Sequence, residues 1–278
     1  IDDVEGPGRI GLLAHRADPN HRDGSLETPL FAATYGGHPE VVRLLLRSGA
    51  VVDARNHAEV TPLLHAARYG RTEIVRDLLA AGADAKATDH IGETALGAAA
   101  LGRSTVVVRM LVAAGTPLDA ADRILAETPL MRAATWGEPE IVDVLLAAGA
   151  VPDLRDSEGR TALWRAAQQG HAAIVERLLA KGADAGRRDT AGVSPFVAAA
   201  GNRHLAVATL LVDRTPDLGP ALAEAAGAGF LDLVKRLLAR WRFVDAQEGN
   251  RPRHAAGTDC CVRMRKLQRR HRQAVTVR

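Results

Sequence analysis

Between Thr61 and Gly82 the apolar positions fall into two short groups, Leu63, Ala66 and Ala67, then Ile74, Val75, Leu78 and Leu79. Steps of three and four residues place each group on one face of a helix. Thr61 has the side chain of an N-cap, and Pro62 stands where a helix tolerates a missing backbone N–H. Gly70 and Gly82 allow the chain to reverse after each group. The pattern predicts two antiparallel helices of about two turns each. Helices this short are marginal alone in water, so the pair must lean on neighbours.

The pair recurs. Thr28, Thr61, Thr94, Thr128, Thr161 and Ser194 follow one another at 33, 33, 34, 33 and 33 residues, which is the signature of a solenoid. Ala33, Ala66, Ala99, Ala133 and Ala166 share one register position, small enough for successive helices to pack at about 8–10 Å. Between the pairs, Asp89 with Gly92 and Asp156 with Gly159 supply the turn chemistry of a hairpin-like finger.

The run Thr61, Pro62, Leu63, Ala66, Ala67, Gly70, Ile74, Val75, Leu78, Leu79, Gly82, Ala83 and Asp84 resembles the ankyrin repeat family, and the resemblance covers nearly all of the chain. It implies an all-α solenoid of stacked helix-turn-helix units with projecting finger loops. Where the family commonly has a histidine after Thr-Pro-Leu, this chain has Phe31, Leu64, Gly97, Met131, Trp164 and Val197. Apolar packing is expected to replace a local hydrogen bond there, and Gly97 is expected to loosen the third unit.

The expected organisation is a partial or capping repeat over 1–27, six repeats over 28–219, a seventh over 220–249, and a degenerate cap with a basic tail over 250–278. Ile10, Leu12 and Leu13 are expected to cover the open face of the first complete unit. The step from Ser194 to Pro220 is only 26 residues, so the sixth finger is expected to be short or absent.

Composition narrows the chemistry. The chain is 47% hydrophobic but 3% aromatic, which suits a core of aliphatic side chains and alanine. No run reaches the roughly 18 apolar residues of a spanning helix. Cys260 and Cys261 are adjacent and form no disulfide framework, and the expected location is cytoplasmic. The ten histidines show no zinc-site spacing, and no phosphate loop or nucleophile elbow stands out. The expectation is a non-enzyme without metal or cofactor. High alanine and arginine usage and regular repeats fit a bacterial protein.

The resemblance implies a protein partner bound through finger tips and the exposed side of the first helices, in a regulatory or inhibitory role. Carried over by position, the candidates are Tyr35, His65, Arg68, Tyr69, Leu101, Arg132, Trp136, Arg165, Gln168 and Gln169 on the helices, with Ile124 and Leu125 at a finger tip. Aromatics interleaved with arginine are typical interface anchors. The plainer alternative is that Tyr69 and Trp136 shield alanines, and that Ile124 and Leu125 dock on the next finger. Trp164 is expected to face the core. Other readings are the recognition arm of a larger enzyme or effector, and an unrecognised enzyme active in the groove.

Charge is uneven: residues 251–278 carry nine Lys or Arg against Asp259 alone, leaving 27 basic and 32 acidic residues before them. Arg263, Arg265, Lys266, Arg269, Arg270 and Arg272 are therefore candidate contacts for nucleic acid or another anionic surface, although no aromatic follows Phe243 for base stacking. A monomer or a weakly associating chain is expected.

Overall fold

The computed structural model describes residues 18–216 and 218–247. Ile10, Leu12 and Leu13, the two cysteines, and the basic residues from Arg263 to Arg272 lie outside them. Among the described residues, fourteen helices form seven pairs. In chain order these are α1 (Pro29–Gly36) with α2 (Pro39–Arg47), α3 (Pro62–Arg68) with α4 (Thr72–Ala80), α5 (Ala95–Leu101) with α6 (Thr105–Ala113), and α7 (Pro129–Trp136) with α8 (Pro139–Ala148). Then come α9 (Ala162–Gln169) with α10 (Ala172–Ala180), α11 (Pro195–Gly201) with α12 (Leu205–Leu211), and α13 (Leu218–Gly227) with α14 (Leu231–Gln247). The architecture is an all-α stack of helix-turn-helix units.

Local chemistry starts each unit. The hydroxyls of Thr28, Thr61, Thr94, Thr128, Thr161 and Ser194 each accept the backbone N–H three residues ahead, with Leu64 N to Thr61 Oγ1 at 3.3 Å. These bonds satisfy donors that a helix start leaves open.

Stacking then buries the stripes. Leu63, Ala66, Ala67, Val75 and Leu78 are fully buried, as are Leu96, Leu111, Leu145, Leu163 and Leu178 in later units. First helices pack more closely on their neighbours than second helices do, so the stack curves with the first helices inside. Alanines 66, 99, 133, 166 and 199 allow that approach. At Gly102 a Cβ would lie 2.1 Å from the Arg68 carbonyl oxygen, so only glycine lets α5 come that near α3.

The fingers join edge to edge. In each, an Asp or Asn accepts backbone N–H groups from its own turn: Asp89 from Ile91 and Glu93, Asp156 from Glu158 and Arg160. Adjacent tips are then linked by His57 N to Ser25 O, His90 N to Ala58 O, Arg123 N to Ile91 O, Ser157 N to Leu125 O and Thr190 N to Glu158 O, at 2.7–3.2 Å. Between α12 and α13 there is no finger: the chain crosses in a turn, where Arg240 donates to Thr215 O at 3.1 Å. In the seventh unit Leu238, part of the apolar stripe read from sequence, is exposed, because no later unit covers it among the described residues.

Gly97 is buried, and side chains of the neighbouring finger and unit line the space beside it. The nearest heavy atoms to a Cβ there would be Thr94 Oγ1, Arg132 Nη1 and Glu93 Cγ, at 3.6–3.9 Å. The space that Leu64 or Met131 fills in other units is occupied here by an ion pair.

Candidate concave binding surface

The concave side carries exposed aromatics on first helices: Tyr35 at 67% exposure, Tyr69 at 58% and Trp136 at 53%. Helix α1 sets Tyr35 one turn beyond the buried Phe31, and α3 sets Tyr69 one turn beyond His65. Three rings gather around His65, whose centroid lies 5.2 Å from Phe31, 5.3 Å from Tyr35 and 4.7 Å from Tyr69. Burial, joined by the positive charges of Arg68 and Arg71, lowers the His65 pKa to about 4, so the imidazole is neutral near pH 7. Its Nδ1 and the neighbouring Arg68 Nε are buried without a hydrogen-bond partner. Leu101 is exposed on α5, Gln169 is exposed on α9, and Gln168 is half-buried beside it.

Beneath these side chains runs a chain of ion pairs linking fingers to first helices. Arg68 pairs with Glu93, which also pairs with Arg132. Arg132 reaches Asp122 at 3.4 Å and Glu127 at 3.7 Å, and Arg165 reaches Glu127 and Asp156 at 2.6 Å each. Arg160 completes the row on Asp156 at 3.0 Å. For Asp122 and Asp156 burial alone would raise the carboxyl pKa. Backbone N–H donors and the nearby guanidinium groups outweigh it, so both are held below the usual range.

This network changes the sequence-based expectation of exposure for two candidates, Arg132 and Arg165. Arg132 and Arg165 are not surface side chains: they are only 10% and 11% exposed, and their donors are committed to carboxylates. Arg68 is partly exposed but spends its Nη2 on Glu93. Helical register gives the direction of a side chain, but not the finger carboxylate standing above it.

At the fourth finger Asp122 accepts from Ile124, Leu125 and Glu127, so the extra residue is absorbed in a wider turn. Leu125 bonds the next finger only through its backbone carbonyl, and the side chains of Ile124 and Leu125 are 64% and 40% exposed. Trp164 packs inward, with its indole N–H donating to Val193 O at 3.0 Å and the Arg160 guanidinium over its ring.

The sequence reading missed Arg71. It stands at the start of α4, where His38, His171 and His204 stand before other second helices, and its guanidinium lies against Gly37. A Cβ on Gly37 would approach Arg71 Cζ to 2.8 Å, so the pairing of Gly37 with a long cationic side chain one unit later was the available signal.

Three copies of a family model described as ankyrin repeats match residues 10–89, 75–156 and 145–221. The chain belongs to the ankyrin-repeat family. As an ankyrin-repeat protein it has the general form of a scaffold for protein–protein interaction. It is similar to a solved structure titled as the ankyrin repeat domain of Bcl-3, a unique member of the IkappaB protein family. That match has 27% identity and a TM-score of 0.63, and covers 72% of this chain and 90% of the other. A search of curated protein sequences gave no match. No helix among the described residues is long and apolar enough to cross a membrane.

Proposed function

We propose that this ankyrin array acts by binding rather than catalysis, holding one protein partner on the concave face through Tyr35, Tyr69, Leu101 and Trp136, with Ile124 and Leu125 at the finger rim. The observation that carries the reading is the exposure of both tyrosines and Trp136 on first helices of a chain with few aromatics. Side chains of this kind lose little conformational entropy on association and are favoured interface anchors. The ion pairs below them tie fingers to helices, so the surface is set before a partner arrives. Several adjacent units can supply the roughly 1,200–2,000 Å² that a stable interface buries. The role is regulatory, by occlusion of the partner's own site, and the array works as a monomer in the cytoplasm.

The test is capture from native extract with the full chain, beside two variants. One carries Tyr69→Ala and Trp136→Ala; the other replaces Arg263, Arg265, Lys266, Arg269, Arg270 and Arg272 by glutamine. Capture lost only in the first supports the groove. Salt-sensitive loss only in the second assigns recognition to the basic segment instead.

A further inference from the structure

The aromatic cluster has a cation at its edge. Arg71 is exposed, and its guanidinium makes neither a hydrogen bond nor an ion pair among the described residues. Arg43 holds Asp77 at 3.0 Å, Arg177 holds Asp143 at 2.9 Å and Arg103 holds Glu138, while Arg76 and Arg109 are exposed like Arg71; what distinguishes Arg71 is its place against Gly37 beside the aromatic cluster. Arg71 also lies within two residues of Tyr35, through its contact with Gly37. We propose that the groove over the first two units takes an acidic segment of a partner protein, whose carboxylate pairs with Arg71 while its flanking apolar side chains pack on Tyr35 and Tyr69. This rests on the concave-face reading above and adds the partner's chemistry.

Three observations carry it. The free cation at the edge of the rings is Arg71, because Arg68, the other guanidinium beside His65, is already paired with Glu93 and Asp89. On the finger side the acids are engaged: Glu93 and Asp89 are buried against Arg68, and Glu59 lies beside Arg55 at 3.8 Å, which leaves the exposed Glu73 as the acid within two residues of Arg71. Finally, the cluster offers the exposed rings of Tyr35 and Tyr69 around His65 beside one unpaired guanidinium, that of Arg71, rather than a row of cations. That suits one carboxylate with apolar neighbours better than the evenly charged backbone of a nucleic acid. The chain's own Arg-rich segment, Arg263 to Arg272, has the wrong sign for this site.

The experiment is a display selection of random twelve-residue peptides on the immobilised full chain, with individual winners then measured by fluorescence anisotropy. The expected winners carry net negative charge with aromatic or aliphatic residues beside Asp or Glu. Their affinity falls about tenfold or more in Arg71→Ser and is unchanged in Arg109→Ser, an exposed arginine on α6. Arg71→Glu should shift the winners toward basic sequences. Neutral or basic winners on the native chain, or no winners, overturn the acidic assignment. Winners of any charge that still need Tyr69 leave the groove reading standing, whereas winners indifferent to Tyr35 and Tyr69 overturn both. Preferential binding of a labelled twelve-nucleotide dT strand over the acidic winners also overturns the proposal.

Discussion

Arg132 of the fourth unit meets Glu93 of the third in the space that Gly97 leaves open. The contact is buried on both sides, at 10% and 4% side-chain exposure, so it depends on the pairing being complete. Gly97→Ala adds a Cβ at ordinary contact distance and improves helix propensity. It is expected to stabilise the array by roughly 0.5–1 kcal/mol. Gly97→Met must displace the ion pair and is expected to cost about 1–3 kcal/mol or more. Urea unfolding of the two variants tests the contrast; equal effects would contradict the described geometry.

Three fingers hold a side chain where others hold glycine. Leu26, Glu59 and Ala126 have φ of 61°, 57° and 54°, matching Gly92, Gly159 and Gly192 at 78°, 76° and 81°. Left-handed backbone costs an L-residue about 1–2 kcal/mol, and glycine recovers this less its own unfolded-state entropy. Ala126→Gly is therefore expected to raise stability by roughly 0.5 kcal/mol or more, read as a higher denaturant midpoint at unchanged slope.

Acid should act on this protein in two windows. The unfolded chain protonates a histidine near ~6.5. Folded His65 resists protonation until about pH 4, because of burial and of Arg68 and Arg71. Stability is thus lost as pH falls between those values, by about 1–2 kcal/mol for this half-buried ring. His65→Gln should remove that limb. A second loss follows at lower pH, where Asp122 and Asp156, with depressed folded values, take up protons. Thermal melts from pH 7 to pH 3 on both proteins separate the two.

Truncating Leu145, which is fully buried in α8, is expected to cost about 2–5 kcal/mol. Tyr69→Ala and Trp136→Ala should stay near ±0.5 kcal/mol, because both side chains are mostly exposed. Equal losses in calorimetry would move the aromatics into the core.

The parts legible in sequence are those fixed by local backbone chemistry. Thr61 must accept an N–H at a helix start, Ala66 must be small, and Gly82 must turn left-handed, so each recurs at one period. Register alone also separates Trp164, facing in, from Trp136, facing out. The ion network follows no such rule. Arg132 and Glu93 are 39 residues apart, in different units, and they meet only because the stack sets a finger carboxylate over a neighbour's helix. Arg132 and Arg165 therefore read as surface cations until the units are assembled. Arg71 escaped notice for a related reason: what marks it is its place against Gly37 of the preceding unit, beside the aromatic cluster, which exists only once the units are stacked.

The most direct test of the concave face is a binding titration with the captured partner. One variant combines Tyr35→Ala, Tyr69→Ala and Trp136→Ala; the other combines Leu44→Ala, Val106→Ala and Leu205→Ala, equally exposed side chains on second helices. The aromatic variant is predicted to lose a hundredfold or more in affinity, as about 1–2 kcal/mol per anchor would give, with the second-helix variant close to native. Native affinity in the aromatic variant, with loss in the other, would contradict the proposed binding face.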